Sequence, residues 1–257
     1  MDRETLEKLA ARVDDAAHER RAIRKLSEEH PELDFERAYT IQRLSMARRV
    51  QRGESIVGMK MGLTSQAKME QVGVHEPIYG HLTDEMMRSS GDALHMGQLI
   101  HPRIEPEIAF VLGRDLEGPV TPAQAMLAVE GICAALEVID SRFENFEFTL
   151  PDVVADNASS SRFLLGATVR RPDQIELGNL GVIMSIDGVD RQVGSTAAIY
   201  EHPARSLATL VNMLARRDEF LRAGSVVLAG AATAAEFIEA GQHVLLRVDG
   251  LGEVRAH

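Results

Sequence analysis

The stretch Pro102-Arg103-Ile104-Glu105-Pro106-Glu107-Ile108-Ala109-Phe110 restricts what this chain can fold into more than any other. Read as a strand, its period of two puts Ile104, Pro106, Ile108 and Phe110 on one face and Glu105 and Glu107 on the other. Two carboxylates on one face stand about 7 Å apart and repel each other unless something positive lies between them. A third acid, Glu137, sits in the apolar run Ala134-Ala135-Leu136-Glu137-Val138-Ile139, where an unpaired charge is costly to bury. Three carboxylates without cysteine partners make a hard oxygen site, suited to Mg²⁺ or Mn²⁺ rather than Zn²⁺. The same spacing also fits a solvated sheet face, with Glu137 paired to Arg142 or Arg103. Pro106 argues against a central strand.

Two further clusters carry polar chemistry. Lys60 lies among apolar neighbours in the strand-like Ser55 to Leu63. It either snorkels to water or presents a cation to a substrate carboxylate or a developing enolate. Ala155-Asp156-Asn157-Ala158-Ser159-Ser160-Ser161 is either a plain loop or a set of hydroxyl and amide donors for a carboxylate. There is no glycine-rich phosphate loop, dinucleotide fingerprint or Gly-x-Ser-x-Gly elbow. The single cysteine, Cys133, reads as a small buried hydrophobe and excludes an internal disulfide framework. A net charge of −11 with no basic run argues against a nucleic-acid partner. No apolar segment approaches the roughly 18 residues of a membrane span, and the expected location is the cytoplasm.

The periodicity predicts an α+β chain: a helical N-terminal part and a predominantly β core. Helices are expected at residues 3–18 and at Phe35 to Arg52, the second capped by Asp34 and ended by Gly53. A short helix at Ser65 to Gln71 and a turn-rich loop at Gly73 to Gly80 follow. Strands are expected at 104–112, 134–139, 162–169, 181–186, 225–229 and 243–248, with helices near 122–135 and 203–216. Asp187-Gly188 and Asp249-Gly250 mark hairpins. The expected division is 1–80, a helical region with the lysine strand and its loop, and 81–257, the catalytic β core, acting as one unit.

Taken together, Gly58-Met59-Lys60-Met61-Gly62-Leu63-Thr64-Ser65, the Pro102–Phe110 segment and Ala155-Asp156-Asn157-Ala158-Ser159-Ser160 resemble the 2-keto-4-pentenoate hydratase and 4-oxalocrotonate decarboxylase family. That family lies within the fumarylacetoacetate-hydrolase-like superfamily. The resemblance runs in order from about Asp34 to Val254. It implies a mixed β-roll core, Glu105, Glu107 and Glu137 as ligands of Mg²⁺ (or Mn²⁺), and Lys60 as an active-site cation. It also implies a substrate pocket bordered by Leu63, Ile78, Asp156, Asn157, Ser159 and Ser160. Hydratases of the family read Pro-Asp-Phe/Tyr-Gly where this chain has Pro77-Ile78-Tyr79-Gly80, so a candidate acid/base is absent. Ala67-Lys68-Met69, Leu82 to Met86, Asp140 to Phe146 and Gly230-Ala231-Ala232-Thr233 also resemble the decarboxylase branch. The implied reaction is Mg²⁺-dependent decarboxylation of a small 2-oxo dicarboxylic acid, 2-oxo-3-hexenedioate, to 2-hydroxypenta-2,4-dienoate in the meta-cleavage degradation of aromatic compounds. The implied partners are a homo-oligomer and a complex with the hydratase that consumes the dienol. A hydratase and a catalytically silent partner of the hydratase are the alternatives.

Overall fold

The computed structural model describes residues 1–65 and 77–257. The helix expected at 65–71 lies, apart from Ser65, outside the described residues. Apolar positions at helical spacing form α1 (Arg3–Glu19) and α3 (Phe35–Gln51), separated by the single turn α2 (Leu26–Glu29). Asp2 and Asp34 cap the two long helices by accepting from the amides of Thr5 and Arg37, each at 2.9 Å. Beneath them lies a mixed sheet of eight strands. These are β1 (Ile56–Gly62), β2 (Ile78–Thr83), β3 (Met87–Ser89), β4 (Arg103–Leu112), β5 (Val129–Ile139), β6 (Ser160–Leu165), β9 (Val226–Leu228) and β10 (Glu236–Phe237). The order is β2-β1-β9-β4-β5-β6-β3, with β10 paired to the start of β4. The β1–β9 and β3–β6 pairs are parallel and the rest antiparallel. A second, four-stranded antiparallel sheet is built from β7 (Gly181–Ile186), β8 (Val189–Ser195), β11 (Val244–Val248) and β12 (Gly252–Ala256). Among the described residues, three further helices are α4 (Pro122–Met126), α5 (Leu150–Ala155) and α6 (Pro203–Ala215).

Several expectations are corrected. The helix expected across 122–135 stops at Met126, and Val129–Ile139 is one long strand. β5 is hydrogen-bonded on both sides, by β4 and β6, and a strand covered in this way has a continuous apolar run that mimics a buried helix. The strand expected at 162–169 runs instead from Ser160 to Leu165. Residues 78–80 of the expected loop are the start of β2. Both β1 and β2 are members of the main sheet, which leaves α1 to α3 as the helical layer. Both hairpins are present. Asp187-Gly188 is a two-residue turn with both φ positive, while β11 turns into β12 through the three residues after Val248.

Pro106 sits in the interior of β4 without breaking it. On one side Pro106 faces Leu136 of β5, and its carbonyl points the other way, accepting from the Ala232 amide at 2.9 Å. There β4 is flanked by the chain between β9 and β10 rather than by a strand, so the missing N–H of proline costs no ladder bond. The helical layer is fixed to the sheet by Gln42 of α3, whose Nε2 donates to the carbonyls of Tyr79 (3.0 Å) and Val154 (2.8 Å). Tyr39 stacks on Tyr79 at 4.5 Å between ring centroids.

Candidate active site

Strand register assembles the acidic cluster. Glu105 and Glu137 are directly opposed across β4 and β5, and Glu107 follows two residues along on the same face. One carboxylate oxygen from each lies within 4.8 Å of the others, and all three residues are buried. Lys60, carried by β1, is also buried, and its Nζ stands 2.9 Å from Glu137 Oε2. It therefore does not snorkel to water. Glu137 pairs with this lysine and not with Arg142 or Arg103. Its second oxygen accepts from Ser160 Oγ at 3.0 Å.

Glu107 Oε2 accepts from the Gly230 amide at 2.8 Å, while Oε1 is buried without a hydrogen-bond partner. Gly230 has φ +109°, and a Cβ there would lie 2.2 Å from Thr64 Oγ1, so only glycine brings this amide so close to the carboxylate. Burial pushes the Glu107 carboxyl well above the ordinary carboxylate range; Glu137 and Glu105 push it further, and Lys60 pulls it back. Glu137 is raised for the same leading reason, burial, with Lys60 opposing. Burial works against the charge on Lys60, but the glutamates around it more than offset this and raise its pKa. An all-oxygen donor set with an orphaned buried carboxylate oxygen fits a hard divalent cation. The three glutamates are the residues that would hold it.

The cluster opens on a cavity of about 780 Å³, a volume suited to a small organic ligand. Lys60, Leu63, Ile78, Glu105 and Ser159 all line this cavity. Asp156, Asn157 and Ser160 stand behind its wall. Asp156 is ion-paired with Arg142, whose guanidinium also donates to the carbonyls of Asp140 and Ser160. Burial lifts the Asp156 carboxyl to about 6, against the pull of Arg142. Asn157 clamps the backbone of His81, accepting from its amide at 2.7 Å and donating to its carbonyl at 2.9 Å. Ser160 holds Glu137. The reason lies in the backbone: Asn157, Ala158 and Ser159 adopt φ of 51°, 50° and 58° in succession. A left-handed run without glycine costs about 1–2 kcal/mol per residue and persists where surrounding contacts enforce it. It turns Ala158 and Ser159 toward the cavity and Asp156 and Asn157 into the protein. Gly80 packs against this turn, where a Cβ would lie 2.4 Å from the Asn157 carbonyl.

Sequence reasoning passed over Arg103, Phe146 and Phe148, which line the same cavity. The signal for Arg103 was available, since period two places it on the face of Glu105 and Glu107. Phe146 sits in a short turn at φ 59°, which no periodicity betrays.

The family model described as fumarylacetoacetate (FAA) hydrolase C-terminal matches residues 49–257. A 4-oxalocrotonate decarboxylase of Pseudomonas sp. is 44% identical over 249 residues, covering 97% of this chain and 96% of the relative. A 2-keto-4-pentenoate hydratase of Paraburkholderia xenovorans (strain LB400) is 35% identical, covering 91% and 87%. Among solved structures, 4-oxalocrotonate decarboxylase from Pseudomonas putida G7, complexed with magnesium and adipate, superimposes with a TM-score of 0.98 at 40% identity, covering 100% of this chain and 98% of the other.

Proposed function

The chain belongs to the fumarylacetoacetate hydrolase family, and from that premise we propose that it decarboxylates 2-oxo-3-hexenedioate to 2-hydroxypenta-2,4-dienoate with the help of Mg²⁺. The observation that carries this reading is the buried Glu105–Glu107–Glu137 cluster with Lys60, open to a cavity of a small acid's dimensions. It is a metal-dependent carbon–carbon lyase, and the decarboxylase relatives stand nearer in sequence than the hydratases.

The C6 carboxylate leaves from C5, and its bonding electrons pass through the alkene to the C2 oxygen, which takes up a proton to give the dienol. Bound Mg²⁺ supplies Lewis-acid stabilisation of the charge developing on that oxygen. Glu105, Glu107 and Glu137 hold the cation, and Gly230 and Ser160 fix two of these carboxylates in place. Lys60, kept protonated by its glutamate neighbours, presents an ammonium to the developing oxyanion without becoming covalently attached. Ile78, buried and on the cavity wall, occupies the position at which the resemblance gives hydratases a candidate acid/base. Its apolar side chain keeps water from the dienolate.

The assembly is a homo-oligomer that hands the unstable dienol to a partner hydratase. Support for association comes from Val189 and Val193, exposed on the sheet-edge strand β8. Among the described residues no helix is long and apolar enough to cross a membrane, and the substrate and products are small water-soluble acids, in keeping with a cytoplasmic enzyme. The test is to add 2-oxo-3-hexenedioate and Mg²⁺ to metal-stripped protein while following CO₂ and dienol absorbance. Metal-dependent CO₂ release is expected. Hydration of the dienol without CO₂ release would replace this reading with a hydratase, and inactivity on both, with hydratase binding, would leave a silent partner.

A further inference from the structure

Arg103 and Glu105 occupy the same face of β4, two residues apart, and both line the cavity. Their Cβ atoms stand about 7 Å apart, comparable to the end-to-end reach of an extended six-carbon dicarboxylate. The Arg103 guanidinium carbon lies 4.3 Å from the Phe146 ring centroid. It lies 5.9 Å from that of Phe237, its neighbour across β4 and β10. Its Nε is buried without a hydrogen-bond partner. Phe146 packs in turn against His101 and Phe148, at 5.4 and 5.7 Å between centroids. A guanidinium held against an aromatic ring, with a buried donor left over, is poised to take a planar anion in a two-pronged grip.

Resting on the decarboxylase reading, we infer that Arg103, positioned by Phe146 and Phe237, is the subsite for the carboxylate at the far end of the substrate, and that β4 measures substrate length between Glu105 and Arg103. The head of the 2-oxo acid lies at the glutamate cluster and Lys60, and the tail lies along β4 to Arg103. The subsite selects dicarboxylic over monocarboxylic 2-oxo acids. Its effect falls mainly on KM, because the grip exists before the bond breaks.

The experiment measures calorimetric binding of 2-oxoadipate and 2-oxohexanoate to the Mg²⁺-loaded protein. These probes share the head and the chain length and differ only in the distal carboxylate. Wild-type protein is expected to favour 2-oxoadipate strongly. Arg103→Leu is expected to weaken 2-oxoadipate about 100-fold while 2-oxohexanoate changes less than about threefold. Retained 2-oxohexanoate binding shows that the variant is folded with an intact head site; if Arg103→Leu does not fold, Arg103→Gln serves in its place. Equal weakening of both probes, no weakening of either, or no preference in the wild type would overturn the subsite. Failure of wild-type protein to release CO₂ from 2-oxo-3-hexenedioate, with the Arg103-dependent preference intact, would remove the reaction and leave the subsite standing.

Discussion

Two buried ionic centres in this molecule are arranged with opposite surpluses. Asp14 of α1 is buried and surrounded by arginines of α3 and its C-terminal end. Arg48 Nε lies at 2.7 Å, the two Nη atoms of Arg52 at 2.6 and 2.7 Å, and Arg49 Nε at 3.6 Å. Burial works to raise the Asp14 pKa, but the hydrogen bonds and charges of Arg52, Arg48 and Arg49 outweigh it, and the carboxyl is held below its ordinary range. The Glu105–Glu107–Glu137 cluster has the reverse composition, with several carboxylates around Lys60, and there burial prevails and Glu107 and Glu137 rise. In the first centre both carboxylate oxygens are satisfied by the protein itself, and the centre joins two helices. The second leaves a buried carboxylate oxygen without a partner, which is a poor way to stabilise a fold and a good way to receive a cation.

Several substitutions put that contrast at risk, the most damaging first. Glu107→Gln removes a charge from the acid-rich centre and is expected to lower Mg²⁺-dependent turnover at least about 10³-fold. It should also abolish the rise in Tm that Mg²⁺ gives the wild type; full activity would end the three-glutamate site. Lys60→Ala is expected to cost about 10²–10³-fold in kcat while Mg²⁺ affinity, measured by titration, stays largely intact. Loss of folding instead would assign the lysine a structural role.

Asp14→Asn tests the other centre. Breaking a buried ion pair costs about 3 kcal/mol, a Tm shift of roughly 5–10 °C, with kcat per folded molecule unchanged. Because folding holds the Asp14 pKa down, its stabilisation is fully present above the unfolded value near 3.8 and is lost as the pH falls through the folded value. The Tm gap between wild type and variant is therefore expected to be constant near neutrality and to close in acid. A gap that widened in acid would show that Asp14 is not held by its arginines. The smallest effect is expected from Ile78→Asp, which adds a second carboxylate to a cavity wall that already carries Glu105. A loss of about tenfold in CO₂ release is expected; an unchanged rate would remove Ile78 from the reaction.

How far the sequence displayed this arrangement depends on how locally each part is encoded. The face shared by Glu105 and Glu107 follows from period two, and the buried setting of Glu137 follows from its apolar neighbours. The Asp34 cap and the Asp187-Gly188 turn are likewise written in adjacent residues. The first part of β5 was hidden because it follows directly on the helix-favouring Ala123, Ala125 and Met126 of α4, and pairing with β4 and β6 draws the chain from Val129 onward into a strand. The partners of Asp156, Asn157 and Ser160 were hidden for a different reason. Consecutive left-handed residues that are not glycine have no compositional signature, so neither the direction of those side chains nor the Arg142–Asp156 pair could be read ahead. Pro106 misled because its tolerance depends on what flanks one side of β4.

The left-handed run at 157–159 also bears on how such an enzyme can be improved. Glycine at position 158 would relieve the local conformational penalty, and a search for thermostable variants would be drawn to it. Yet the same change would loosen the cavity wall that Ala158 and Ser159 form. Hardening this protein by laboratory evolution is therefore better directed at α1, none of whose residues lines the cavity.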